Sequence, residues 1–189
     1  MRDTSSRLPK YVTTRFDEDR FPRLAEFRRI WDAARSDRFA PSWRDLNFDA
    51  FPSDMLPYMY LVDVLKDPYR FRYRFVGTKV CDLEGRDYTN KFVHDLQPST
   101  LAAAAVREFL KFTRNPKPVF FMMLADKDDP SQRLYRVYGG ARLPLSDDGE
   151  NLTQIIALAQ FERDNVDIRD HFFERCEHGN NDNRIIQRP

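Results

Sequence analysis

Arginines and aromatics alternate through Tyr69-Arg70-Phe71-Arg72-Tyr73-Arg74-Phe75-Val76, followed by Gly77-Thr78. A guanidinium matches carboxylate and phosphate geometry, so Arg70, Arg72 and Arg74 could hold an anion or an acidic partner. Phe71, Tyr73 and Phe75 could line a small-molecule cavity together with Phe109 and Tyr135. Each set has a plainer reading, and the plainer one is favoured. The arginines would be a solvated outer face, and the aromatics would fill a core, because protein interiors pack densely. A period of two places the aromatics on one face of a β-strand and the guanidiniums on the other. A helix would scatter both sets.

Other reactive side chains are sparse. Cys81 sits in Lys79-Val80-Cys81-Asp82-Leu83 and reads as a small buried side chain. His94 is one of three histidines, too few to suggest a metal or haem site. His171 and His178 fall in a polar tail and read as solvated. Asp82, Glu84, Arg86 and Asp87 form a charged cluster that could pair with the arginine stripe. Asp126-Lys127-Asp128-Asp129 lacks the length and glycine of a calcium loop and reads as a turn. The chain carries no phosphate loop, GxSxG, HExxH or dinucleotide fingerprint. No nucleophile–base pair stands out, so an enzyme is not expected.

The 189 residues suffice for one domain with extensions. A net charge of +1 with interleaved signs argues against nucleic acid as a partner. No apolar run approaches the roughly 20 residues of a membrane span, and residues 1–10 do not resemble a signal peptide. Cys81 and Cys176 are far apart and form no CxxC pair. These features suggest a cytoplasmic protein without membrane insertion.

Residues 1–20 lack periodicity and read as a flexible arm. Residues 21–57 comprise an amphipathic helix over 22–38 and a connector. The helix carries Leu24, Phe27, Trp31 and Ala34 on one stripe. The connector holds Trp43, Leu46, Phe48 and Phe51. The apolar stripe needs a cover, either the domain's own sheet or a second copy of the helix. Residues 58–162 read as a hairpin with strands over 58–65 and 69–76, then short helical turns over 78–90. In those turns Gly85 and Asn90 suit a left-handed backbone. The hydroxyl of Thr78 is placed to cap the first of them. A longer helix over 99–113 follows, and then three strands over 119–124, 134–143 and 152–161. Gly139-Gly140 marks a bulge or a close backbone contact. Residues 163–189 read as a polar tail, with a short helix around Val166–Phe173.

This order resembles a PAS domain. Arg72–Thr78 resembles the second strand and its exit. Gly85-Arg86-Asp87-Tyr88-Thr89-Asn90-Lys91 is similar to the family's GRDLTGK segment, with Asn90 in place of a glycine. Leu143–Ile156 resembles the final turn and strand. With the upstream helix, the chain is similar to the stand-alone PAS proteins of alphaproteobacteria, over about Leu24 to Phe161. The resemblance implies an α+β fold, a five-stranded antiparallel sheet with helices on one face.

It also implies a sensory or regulatory module that binds a small molecule or a protein and signals through a separate output protein. A ligand-free interaction module, dimerising through its N-terminal helix, is the alternative. The cofactor is left open, with haem and flavin not expected. Leu24, Phe27, Trp31 and Ala34 are the expected homodimer surface. On that reading, polar substitution of Phe27 and Trp31 should give a folded monomer.

Overall fold

A computed structural model of the chain describes residues 10–13, 18–19, 21–96, 99–124 and 137–161. It contains strands β1 (Lys10–Thr13), β2 (Met59–Leu65), β3 (Arg70–Val76), β4 (Val119–Leu124), β5 (Val137–Leu145) and β6 (Gln154–Phe161). The helices are α1 (Pro22–Arg35), α2 (Thr78–Glu84) and α3 (Ser99–Arg114), with short 3-10 turns in the connector and after α2. Most of these lie within a few residues of the expected bounds. The expected turn over 126–132, Tyr135 and the tail with its short helix lie outside the described residues.

All strands pair antiparallel in the order β1-β4-β5-β6-β2-β3. The five expected strands are therefore joined by a sixth. Lys10–Thr13 pairs with Leu124–Phe121 along the edge of β4, so part of the expected flexible arm is a strand. Tyr11, Val12 and Thr13 are β-prone residue types, which accounts for the pairing.

Both faces of the sheet are buried. On one face, Val62, Val64, Phe71, Ile155, Ala157 and Ala159 pack under Ala102, Ala105, Phe109 and Phe112 of α3. Ala102, Ala104 and Ala105 bring the start of α3 close to its neighbours, while Phe109 and Phe112 fill space further along. On the other face, Met59, Leu61, Ala141, Leu143, Leu145, Ile156 and Leu158 pack under Leu24, Phe27 and Trp31 of α1 and under Leu46, Phe51 and Met55 of the connector.

The cover of the α1 stripe is thus the domain's own sheet. Leu24, Phe27 and Trp31 are 4%, 0% and 2% exposed, and Trp31 Nε1 donates to the Pro144 carbonyl at 2.7 Å. Pro144 lies beyond the last β4 partner on β5, Arg142, which leaves that carbonyl open to the indole. Buried this deeply within one chain, the three side chains cannot also form the dimer surface expected of them. Ala34 remains half-buried beside them. Helices therefore cover both faces of the sheet instead of one.

Gly85 and Asn90 both adopt the left-handed backbone, at φ 67° and 65°. Thr78 caps nothing: Gly77 is the N-cap of α2, with no side-chain hydrogen bond there. Gly140 makes the close contact its position suggested, since a Cβ there would lie 2.5 Å from the Leu158 carbonyl oxygen. Its pairing with Phe121 and Ala159 is regular, without a bulge.

Candidate functional site

The bulge lies in β3. Val62 pairs with Tyr73 and Leu61 with Phe75, so Arg74 is an extra residue opposite no partner. A bulge of this kind breaks the alternation of side chains and re-aims those beside it. Phe71 and Tyr73 stay on the α3 face. Phe75 moves to the α1 face and packs against that core. The expectation that Phe71, Tyr73 and Phe75 share one face is therefore corrected. Arg74 and Phe75, adjacent in sequence, end on the same side of the sheet. The outer edge of β3 is covered as well: Tyr73 N–H donates to the Lys91 carbonyl at 2.9 Å, and Asn90 N–H donates to the Tyr73 carbonyl at 2.7 Å.

Arg72 and Arg74 converge on Asp63, which stands among the apolar residues of β2. Arg72 donates to Oδ2 from Nη2 at 2.9 Å and from Nε at 3.3 Å. Oδ1 accepts from Arg74 Nε at 2.8 Å and from Gln154 Nε2 at 2.8 Å. The Asp63 side chain is 8% exposed, against 40% and 52% for the two arginines. Arg70 stands apart, its guanidinium 5.2 Å from the centre of the Phe92 ring. The stripe is therefore more than a solvated face, because two of its members satisfy a buried carboxylate. Burial pushes the Asp63 carboxyl up, but hydrogen bonds from Gln154, Arg72 and Arg74, with the Arg74 charge, outweigh this. The group is held below its ordinary value.

A depressed carboxyl stabilises the fold above the unfolded pKa and loses that effect as pH falls through the folded one. Asp63→Ala is expected to cost about 2 kcal/mol at neutral pH, limited by how exposed the two arginines are. The gap between wild type and variant should stay full above roughly pH 5 and close as the pH drops below about 4. Urea unfolding across pH checks this, and a gap that widens on acidification would contradict it.

Arg74 and Phe75 reach a cleft of about 670 Å³, open to solvent, between the connector and the exit of β3. Trp43, Phe48, Leu56, Pro57 and Val76 supply the rest of its apolar wall, and Ser53 and Thr78 add hydroxyl-bearing residues. Trp43 meets Phe48 edge to face, with ring centroids 4.4 Å apart. From there rings continue inward: Phe48 to Phe51 at 5.6 Å, and Phe51 to Phe27 of α1 at 5.9 Å. The floor of the cleft is thus in contact with the packed face of α1.

The other expected ligand residues lie across the sheet. Phe71 and Phe109 pack at 5.2 Å, and Tyr73 packs at 5.9 Å from Tyr60 and 6.3 Å from Tyr88. The buried Arg142 guanidinium stacks on Phe121 at 4.1 Å and on Phe109 at 5.0 Å, with Nε 3.4 Å from the Tyr60 hydroxyl. Phe75 is separated from this group by the sheet, and Tyr135 lies outside the described residues. The sequence places Trp43 and Phe48 only in the connector, and their part in a cleft emerges from the structure.

Cys81 is half-buried, with Sγ 3.7 Å from both the Val76 carbonyl and Asp87. Burial and the Asp87 charge push its thiol up, away from the reactive thiolate. Asp87 itself accepts from Thr89 N–H at 2.8 Å and takes no part in the arginine stripe. His94 stacks on Phe92 and faces Asp95 at 3.5 Å. Among the described residues no group of three or more histidines, cysteines or acids is placed to hold a metal. No helix among them is long and apolar enough to cross a membrane.

The family model for the PAS domain matches residues 20–134. The chain belongs to the PAS-domain family, whose members are sensory and regulatory modules. A solved structure described as an RNA-binding Light-Oxygen-Voltage receptor is similar at 12% identity with a TM-score of 0.42. The match covers 92% of this chain and 44% of that one, so this chain spans less than half of the receptor's length. No curated protein matches the sequence.

Proposed function

We propose that this chain is a small-molecule-responsive PAS regulator whose ligand occupies the cleft between the connector and the exit of β3, and whose output passes to a separate protein. The cleft carries the reading. Its volume of about 670 Å³ falls within the roughly 300–1,000 Å³ of small-molecule sites, and its walls are apolar with a few polar groups, as such sites are. The ring series from Phe48 through Phe51 to Phe27 gives a ligand a packed route to α1. An output protein or a second copy would then meet the outer side of α1, near Ile30, Ala33 and Ala34, and not its buried stripe.

The test is a screen of apolar small molecules by thermal shift, followed by native mass spectrometry of the complexes. Ser53→Trp fills the cleft from an exposed position. Compounds that stabilise the wild type and leave a one-to-one adduct should do neither with this variant. Compounds that bind both proteins alike, or a screen with no binder, would overturn the reading.

A further inference from the structure

The electrostatics of the Arg72–Asp63–Arg74 group bear on what the cleft accepts. Two guanidinium charges meet one carboxylate, so the group keeps one positive charge. Arg72 directs two donors to Oδ2, whereas Arg74 uses only Nε, on Oδ1. The two terminal amino groups of Arg74 make no hydrogen bond among the described residues. Arg74 lines the cleft next to Phe75, and none of the described residues lining it is acidic. The bulge makes this possible, because in an unbroken strand a guanidinium and the following ring point to opposite faces. A half-exposed fork with one uncompensated charge, set at an apolar cleft, fits a carboxylate attached to an apolar body.

We propose that the cleft binds a hydrophobic monocarboxylate, with its carboxylate on the terminal amino groups of Arg74 and its apolar part against Phe75, Trp43 and Phe48. This rests on the reading of the cleft as the ligand site. Arg74 acts here as a specificity residue. Binding need not unpair Asp63, because Arg72 and Gln154 remain on it. A ligand of higher charge would exceed the single positive charge available, and a cation would be repelled.

The experiment is isothermal titration calorimetry with decanoate, below its micelle concentration, beside the uncharged 1-decanol. Decanoate is expected to bind the wild type at least tenfold tighter than 1-decanol. Arg74→Gln should abolish that preference. Ser53→Trp should abolish binding of both. Equal affinities in the wild type, with both lost in Ser53→Trp, would overturn the monocarboxylate assignment and leave the cleft standing as an apolar site. Binding of neither compound, or binding that survives Ser53→Trp, would overturn both.

Discussion

Phe27→Ala is expected to lower folding stability by about 4 kcal/mol, the range of a fully buried aromatic deleted from a core. Phe27 is 0% exposed and lies between Phe51 of the connector and the inner face of the sheet. The cavity would sit where helix, connector and sheet meet, and the connector holds one wall of the cleft. Urea unfolding followed by circular dichroism measures the loss. The amphipathic pattern alone suggests a different result, a folded monomer after polar substitution at Phe27 and Trp31. In the folded protein a polar group at either site would face the core, so loss of the fold is expected instead. A Phe27→Ala protein within about 1 kcal/mol of the wild type would mean that the stripe is not packed as described.

Gly77→Ala is expected to cost about 3 kcal/mol, the upper part of the range for forcing atoms into packed space. Gly77 has φ −66°, a value any residue adopts, so conformational freedom is not the reason for glycine here. Its Cα faces the end of the connector. An added Cβ would lie 2.3 Å from the Pro57 carbonyl oxygen and 2.6 Å from that of Leu56, both main-chain atoms with little room to move. Leu56, Pro57 and Gly77 all line the cleft, so the relaxation that admits the methyl group must widen or tilt that wall. Reduced stability should therefore be accompanied by weaker binding of any cleft ligand, which thermal unfolding and calorimetry read separately. Gly85→Ala offers a contrast, because a Cβ there meets nothing within 4 Å and only its left-handed backbone is strained.

Much of the scaffold was legible in residue types. Alternation marked β3, helical spacing marked α1 and α3, and the tolerance of glycine and asparagine for positive φ marked Gly85 and Asn90. What periodicity cannot supply is the identity of the covering surface. Leu24, Phe27 and Trp31 announce a buried stripe equally well for a second chain and for the protein's own sheet. The candidate site was less legible, because it depends on one break in a strict pattern. Arg70 through Phe75 alternate without interruption, and the bulge has to be inferred from their surroundings. Two signals existed. Val76 directly follows Phe75, so a strict period of two would leave an apolar residue on the arginine face. Asp63 interrupts an otherwise apolar strand and needs a cation, which Arg72 and Arg74 provide. The arginines by themselves suit a binding stripe or a solvated face, and it is the Asp63 carboxylate that organises Arg72 and Arg74.

The pairing around Arg74 has an evolutionary consequence. Leu61 stays opposite Phe75 and Val62 opposite Tyr73 whether or not a residue intervenes between them. Arg74 therefore stands in the ladder as a single-codon insertion would. Its deletion would leave every other cross-strand partner of β3 in place and Asp63 still held by Arg72 and Gln154. Lineages could gain or shed the charge at the cleft in one step, without redesigning the sheet that carries it.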